Sequence, residues 1–205
     1  MTQRGTLYTI SAPSGAGKTS LVTALLEKSI GLQVSISHTT RPKRPGEIDG
    51  VNYHFVSKEQ FQAMLKQQAF LEYAQVFSNS YGTSRQWVDN TLASGCDVIL
   101  EIDWQGAAQI HQQNPDTVSI FVLPPSKNTL LERLTQRGQD GPEVIAQRIA
   151  EAQAEMSHFA DADYLIINDV FATALDELAL IISSGKLLRK KQQSQHQALI
   201  KELLL

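Results

Sequence analysis

Apolar positions along this chain recur in two rhythms. Four short runs, residues 7–10, 97–103, 118–123 and 164–168, are mostly Leu, Ile, Val and aromatic, the character of buried strands. Elsewhere apolar residues return every three or four positions. Leu21, Leu25 and Leu26 predict a helix through about Lys28, and Leu175, Leu178 and Ile182 predict another towards the C-terminal end. Strand and helix alternate for most of the length, which predicts an α/β fold with a parallel sheet covered by helices. A second strand is predicted where Val34-Ser35-Ile36-Ser37 alternates.

Residues 37–84 break this rhythm. Residues 53–56, 70–74 and 79–83 predict short strands, the last two an antiparallel pair. Ser57 with Gln60 fits a capping box that opens a helix over Phe61, Met64 and Leu65. The stretch therefore reads as an insertion with its own small sheet. Ser84 then starts a helix that ends near Gly95, a natural cap.

Later, Ser126 starts a helix carrying Arg133 and Arg137, four apart and so on one face. Gly138-Gln139-Asp140-Gly141-Pro142 breaks it, and a second helix carries Arg148. A helical pair flanked by Gly and Pro, presenting three arginines, reads as a mobile lid. The last segment sets Lys186, Arg189, Lys190 and Lys191 ahead of Leu199, Ile200, Leu203 and Leu204. It predicts an amphipathic helix that docks on the core or on a second copy, which allows a homo-oligomer.

The chemistry concentrates at Ala12-Pro13-Ser14-Gly15-Ala16-Gly17-Lys18-Thr19, between the first strand and the first helix. Strand, glycine-rich turn and helix form the setting of a phosphate loop. Gly15 and Gly17 let backbone N–H groups close on phosphate oxygens, and the positive end of the helix dipole faces them. Lys18 can reach the β- and γ-phosphates of a nucleotide, and the Thr19 hydroxyl is placed to ligate Mg²⁺. Ala12 stands where the pattern has its first glycine, which requires a negative φ there.

Arg41, Lys43 and Arg44 form a cationic knot in a loop that Pro42, Pro45 and Gly46 keep irregular. After a phosphate loop, an anion clamp is the better reading than solvated surface, because arginine forks grip phosphate bidentately. Asp103 ends a buried strand at the carboxyl edge of the sheet, where it could hold Mg²⁺ through water. Asp103-Trp104-Gln105-Gly106 also matches the D-x-x-G switch of GTPases, but no N-K-x-D guanine motif accompanies it.

Composition narrows the class. With 205 residues, 42% hydrophobic and 19% charged, the chain fits one compact unit with inserted parts. A net charge of −3 supplies no global field for nucleic acid. The one cysteine, Cys96, excludes an internal disulfide framework and fits a reducing compartment. No apolar run approaches the roughly 20 residues that span a bilayer. The expected setting is the cytoplasm, without membrane or nucleic-acid partners.

Nearly end to end, these motifs resemble the guanylate kinase family. The resemblance lies in residues 11–19, in Ser37-His38-Thr39-Thr40-Arg41-Pro42 with Arg44-Pro45-Gly46-Glu47, and in Gly50-Val51-Asn52-Tyr53. It continues in Phe70-Leu71-Glu72, Tyr81-Gly82-Thr83, Ile102-Asp103-Trp104-Gln105-Gly106, Pro124-Pro125-Ser126 and Ile167-Asn168-Asp169. The family has aspartate where Glu101 stands, and Val170 interrupts its common Asp-Asp pair.

The resemblance implies a parallel-sheet P-loop NTPase core (1–36, 85–124 and 163–205), a small mixed α/β GMP-binding region (37–84) and a helical lid (125–162). It implies phosphoryl transfer from ATP to GMP. Arg41, Arg44, Tyr53 and Tyr81 would grip the GMP phosphate, and Ser37, Glu72 and Thr83 would read the guanine with Asp103 beside them. Arg133, Arg137 and Arg148 would join Lys18 and Arg41 as the cations around the transferring group. A carboxylate such as Glu72 can accept guanine N1–H and the 2-amino group together, a donor pair that adenine lacks.

Two other classes compete. A non-catalytic guanylate-kinase-like module that binds proteins predicts an eroded phosphate loop and lid, which this chain does not have. A GTPase switch rests on Asp103 and Gly106 alone.

Overall fold

The computed structural model describes residues 3–76, 78–136 and 142–205, with side chains of residues 142–148 outside the description. In chain order it runs β1 (Leu7–Ser11), α1 (Lys18–Lys28), β2 (Leu32–Val34), β3 (His38–Thr39), β4 (His54–Phe55), α2 (Lys58–Lys66), β5 (Phe70–Val76) and β6 (Asn79–Ser84). There follow α3 (Arg85–Ala93), β7 (Asp97–Glu101), α4 (Trp104–Gln113), β8 (Val118–Leu123), α5 (Lys127–Gln136) and α6 (Pro142–Met156). A 3₁₀ turn then leads to β9 (Tyr164–Ile167), α7 (Phe171–Gly185), α8 (Arg189–Gln195) and α9 (Gln197–Leu203).

The α/β expectation is met. Five parallel strands form one sheet in the order β2-β7-β1-β8-β9. β1 is central and buried along its whole length, which is why its sequence is apolar without alternation. Tyr8 and Ile10 face one layer, packed with Leu21 and Leu25 of α1 and Leu178 and Ile182 of α7. Leu7 faces the other, with Val98 and Leu100 of β7, Val88 and Leu92 of α3 and Ile110 of α4. Successive β1 residues thus serve opposite cores.

Residues 38–84 build a separate four-stranded sheet, ordered β4-β3-β6-β5. β5 and β6 pair antiparallel, and Ser57 with Gln60 makes the expected capping box ahead of α2. Helices α5 and α6 join through Leu130, Leu134 and Ala152.

Three elements depart from the sequence pattern. The second strand is Leu32–Val34, not 34–37: Ser35 N–H still donates to Ile99 O at 2.9 Å, after which the chain leaves for the second sheet. Helix α4 stands where the pattern gave only a D-x-x-G match, because Asp103 is its N-cap and accepts from Gly106 N–H at 2.9 Å. The C-terminal segment is two short helices meeting at His196, with Leu203 74% exposed, not one helix docked on the core. Its anchor is Lys191, which donates to the Thr6 hydroxyl and lies 3.6 Å from Asp97.

Candidate active site

The phosphate loop links β1 to α1 at the carboxyl edge of the parallel sheet. Gly15 and Gly17 hold φ of 93° and 94°, the left-handed region where side chains are strained. The space is also taken: a Cβ on Gly17 would sit 2.4 Å from Asn168 Nδ2, and one on Gly15 2.9 Å from Leu130 Cδ1. Ala12 is not among the residues with positive φ, which answers how alanine is accepted in the first loop position.

Lys18 and Thr19 open α1. The Lys18 ammonium donates to Ile102 O at 3.1 Å, and burial pushes its pKa below the ordinary value against the pull of Glu101, Asp103 and Glu155. The Thr19 hydroxyl donates to Glu101 Oε2 at 2.8 Å. Glu101, the last residue of β7, is therefore the carboxylate in contact with the hydroxyl. Asp103 instead caps α4, and burial raises its pKa.

Glu72 comes from β5 and is 3% exposed. Its Oε1 accepts the Thr83 hydroxyl at 2.6 Å across the β5–β6 pair. Burial drives its pKa up to about 7, with the Asp103 charge adding to the shift and the Thr83 hydrogen bond opposing it. A Cβ on Gly106 would lie 2.5 Å from Glu72 Oε2, so the second half of D-x-x-G makes room for this carboxyl.

One cleft of about 280 Å³ gathers these groups. Ala12, Pro13, Ser14, Gly15, Gly17, Lys18 and Thr19 line one side of it. Ser37, Tyr53, Glu72 and Tyr81 line the other, with Asp103 between. Thr83 stands behind Glu72, fully buried.

The arginines are distributed differently. Arg41 forks onto Glu47 at 2.6 and 3.0 Å and lies 5.3 Å from the centre of the Tyr53 ring, behind the cleft wall that Tyr53 and Tyr81 form. The ion pair raises its pKa further. Arg44 is exposed and contributes its backbone N–H to Glu47. Arg133 donates to Ala16 O at 3.4 Å and Asn168 O at 3.0 Å, so its guanidinium braces the back of the phosphate loop. Arg137 and the Arg148 side chain lie outside the described residues.

Three residues without an assigned role in the sequence pattern belong to this neighbourhood. Glu101 carried a signal, a carboxylate closing an apolar run. Asn168 closes β9 and donates from Nδ2 to Ala16 O at 2.7 Å, holding the loop from behind. Glu155 of α6 lines the cleft, and burial raises its pKa. No periodicity distinguishes it from the other acids of its helix.

Comparison with known proteins agrees along the whole chain. The family model described as Guanylate kinase matches residues 4–185. A guanylate kinase of Saccharophagus degradans is 60% identical over 204 residues, 100% of both chains. One of Vibrio cholerae is 55% identical over 203 residues, 98% of each. The crystal structure of guanylate kinase from Anaplasma phagocytophilum superposes with a TM-score of 0.77 at 30% identity, covering 94% of this chain and 95% of that one.

Proposed function

Because this chain belongs to the guanylate kinase family, we propose the following residue-level course for its reaction. The protein is a nucleoside monophosphate kinase: it transfers the γ-phosphoryl group of ATP to GMP, giving ADP and GDP. The observation that carries the residue assignment is the single cleft in which the phosphate loop and Glu72 face each other.

The loop amides, Lys18 and the helix dipole hold the ATP phosphates. Ser37, Glu72 and Thr83 read the guanine, and Arg41, Arg44, Tyr53 and Tyr81 grip its phosphate. A GMP phosphate oxygen attacks the γ-phosphorus and the bond from that phosphorus to the β–γ bridging oxygen breaks, releasing ADP. The attacking oxygen is already anionic, so no general base is required. Positioning and neutralisation of charge carry the catalysis. Arg133, Arg137 and Arg148 supply cations from the lid side, which for Arg133 requires release from Ala16 O and Asn168 O.

The donor set also suits Mg²⁺, which keeps several waters and takes few protein oxygens. Thr19 and Glu101 would hold it, with Asp103 acting through water. When bound, it neutralises charge on the β- and γ-phosphates. The second sheet, made wholly from residues 38–84, supports the division into core, GMP-binding region (37–84) and lid (125–162). Exposed Leu199, Leu203 and Leu204 support a homo-oligomer. Nucleotide substrates and a lone cysteine support a cytoplasmic setting. Among the described residues no helix is long and apolar enough to cross a membrane.

A panel of nucleoside monophosphates with ATP and Mg²⁺ held fixed tests the substrate assignment. GMP should be converted to GDP; reaction of AMP or dTMP with GMP inert would overturn it.

A further inference from the structure

The outer edge of the second sheet is closed by side chains. β5 is the last strand in the order β4-β3-β6-β5, so one row of its peptide groups has no strand beside it. Helix α4 covers that row. The Gln109 carboxamide donates from Nε2 to Tyr73 O at 2.8 Å and accepts at Oε1 from Tyr73 N–H at 3.2 Å. This is the two-bond exchange that a residue of a neighbouring antiparallel strand makes. One turn on, Gln113 Nε2 donates to Leu71 O at 3.1 Å.

The peptides on both sides of Glu72 are thus tied to one helix. The same helix passes Gly106 close against the Glu72 carboxyl. Positions 106, 109 and 113 are i, i+3 and i+7, one stripe of an α-helix. That helix begins at Asp103, two residues after the Glu101 that touches Thr19. The stripe therefore sets the acceptor's reader by reference to the donor's side of the cleft.

We propose that Gln109, with Gln113 behind it, is a positioning residue for acceptor recognition: α4 serves as a surrogate strand that fixes the Glu72 carboxyl in the cleft. The proposal rests on the assignment of Glu72 as the guanine reader. Glutamine suits the place because it offers a donor and an acceptor at the end of a flexible stem. Leucine fills the volume but leaves both Tyr73 peptide groups without their partner. An ionised glutamate accepts but cannot donate, and sets a charge against the Tyr73 carbonyl.

Steady-state kinetics with GMP and with inosine monophosphate, which lacks the 2-amino group, test this in wild type, Gln109→Leu and Glu72→Gln. Gln109→Leu should raise KM for GMP roughly 3- to 10-fold, the value of one net hydrogen bond, and narrow the preference for GMP over inosine monophosphate. KM for ATP and kcat should stay within about twofold, a split that general loosening of the fold would not give. Should Gln109→Leu not fold, Gln113→Leu carries the same expectation. An unchanged nucleotide preference in Gln109→Leu, alongside a reduced one in Glu72→Gln, overturns the clamp and leaves the base-reading role standing. An unchanged preference in both variants overturns the two together. Equal losses for ATP and GMP in Gln109→Leu also overturn the clamp.

Discussion

Burial, helped by the neighbouring Asp103, lifts the Glu72 carboxyl from its ordinary 4.5 to about 7. Accepting guanine N1–H and the 2-amino group requires the ionised form. KM for GMP should therefore rise as pH falls from 8 to 6, and a kinetic pH profile of wild type against Glu72→Gln isolates this group. In the variant KM is higher throughout, selectivity drops, and the Glu72 step in the profile is gone. Stability has the opposite sign. A raised native pKa contributes stability that is present below about 4.5 and lost as pH rises through about 7. Glu72→Gln should therefore melt above wild type at pH 8, with the gap shrinking towards pH 5, as read by thermal unfolding. A carboxyl that costs stability where it works is a common mark of a functional group. Lys18→Ala tests the donor side: kcat should fall by about 10²–10³-fold or more, as when one preorganised group at the transition state is removed. The melting temperature should change little, because among the described residues the ammonium's hydrogen bond is to a single backbone carbonyl, Ile102 O.

Among the elements, the phosphate loop is held in shape from behind. Asn168, at the end of β9, and Arg133, from α5, both donate to Ala16 O. Gly17→Ala forces a side chain into the left-handed region and against Asn168 Nδ2, which should cost about 1–3 kcal/mol and lower the melting temperature by several degrees. ATP affinity should fall more than GMP affinity, as titration calorimetry would read. How legible these elements are in the sequence follows their burial. β1 and β7 lie between two apolar cores and β8 is buried along its middle, so their apolar runs speak plainly. Helix α4 is muted because Gly106 stands where it passes the Glu72 carboxyl and small Ala107 and Ala108 follow it, in place of larger apolar residues. Its D-x-x-G start is a cap and a clearance, a reading that depends on a β5 residue more than thirty positions earlier. The same limit applies to Arg133. Spacing puts it on one face of α5, but only the fold says that this face meets Ala16 O. The C-terminal segment has a helical period, yet its leucines lie exposed and the chain breaks at His196.

Across the whole molecule, the carboxyl edge of a parallel sheet and an inserted second sheet enclose one cleft, where open α/β folds bind ligands. Residues from the phosphate loop, α1, β5, β6, the β7–α4 junction and α6 meet there, although they lie up to about 140 positions apart in the chain. Cleft residues such as Ser37, Tyr53 and Tyr81 were legible through their resemblance to a known family, since no local period marks them. Each substrate should also stabilise the fold by linkage, about 2.7 kcal/mol at a hundredfold excess over Kd, seen as a rise in melting temperature with ATP or with GMP. The most direct single measurement is a crystal structure with GMP bound. The guanine N1 and 2-amino nitrogens should lie within hydrogen-bonding distance of the Glu72 carboxylate, with the phosphate beside Tyr53 and Tyr81. Guanine seated away from Glu72, or GMP held in the phosphate loop alone, would contradict the assignment of the two sides of the cleft.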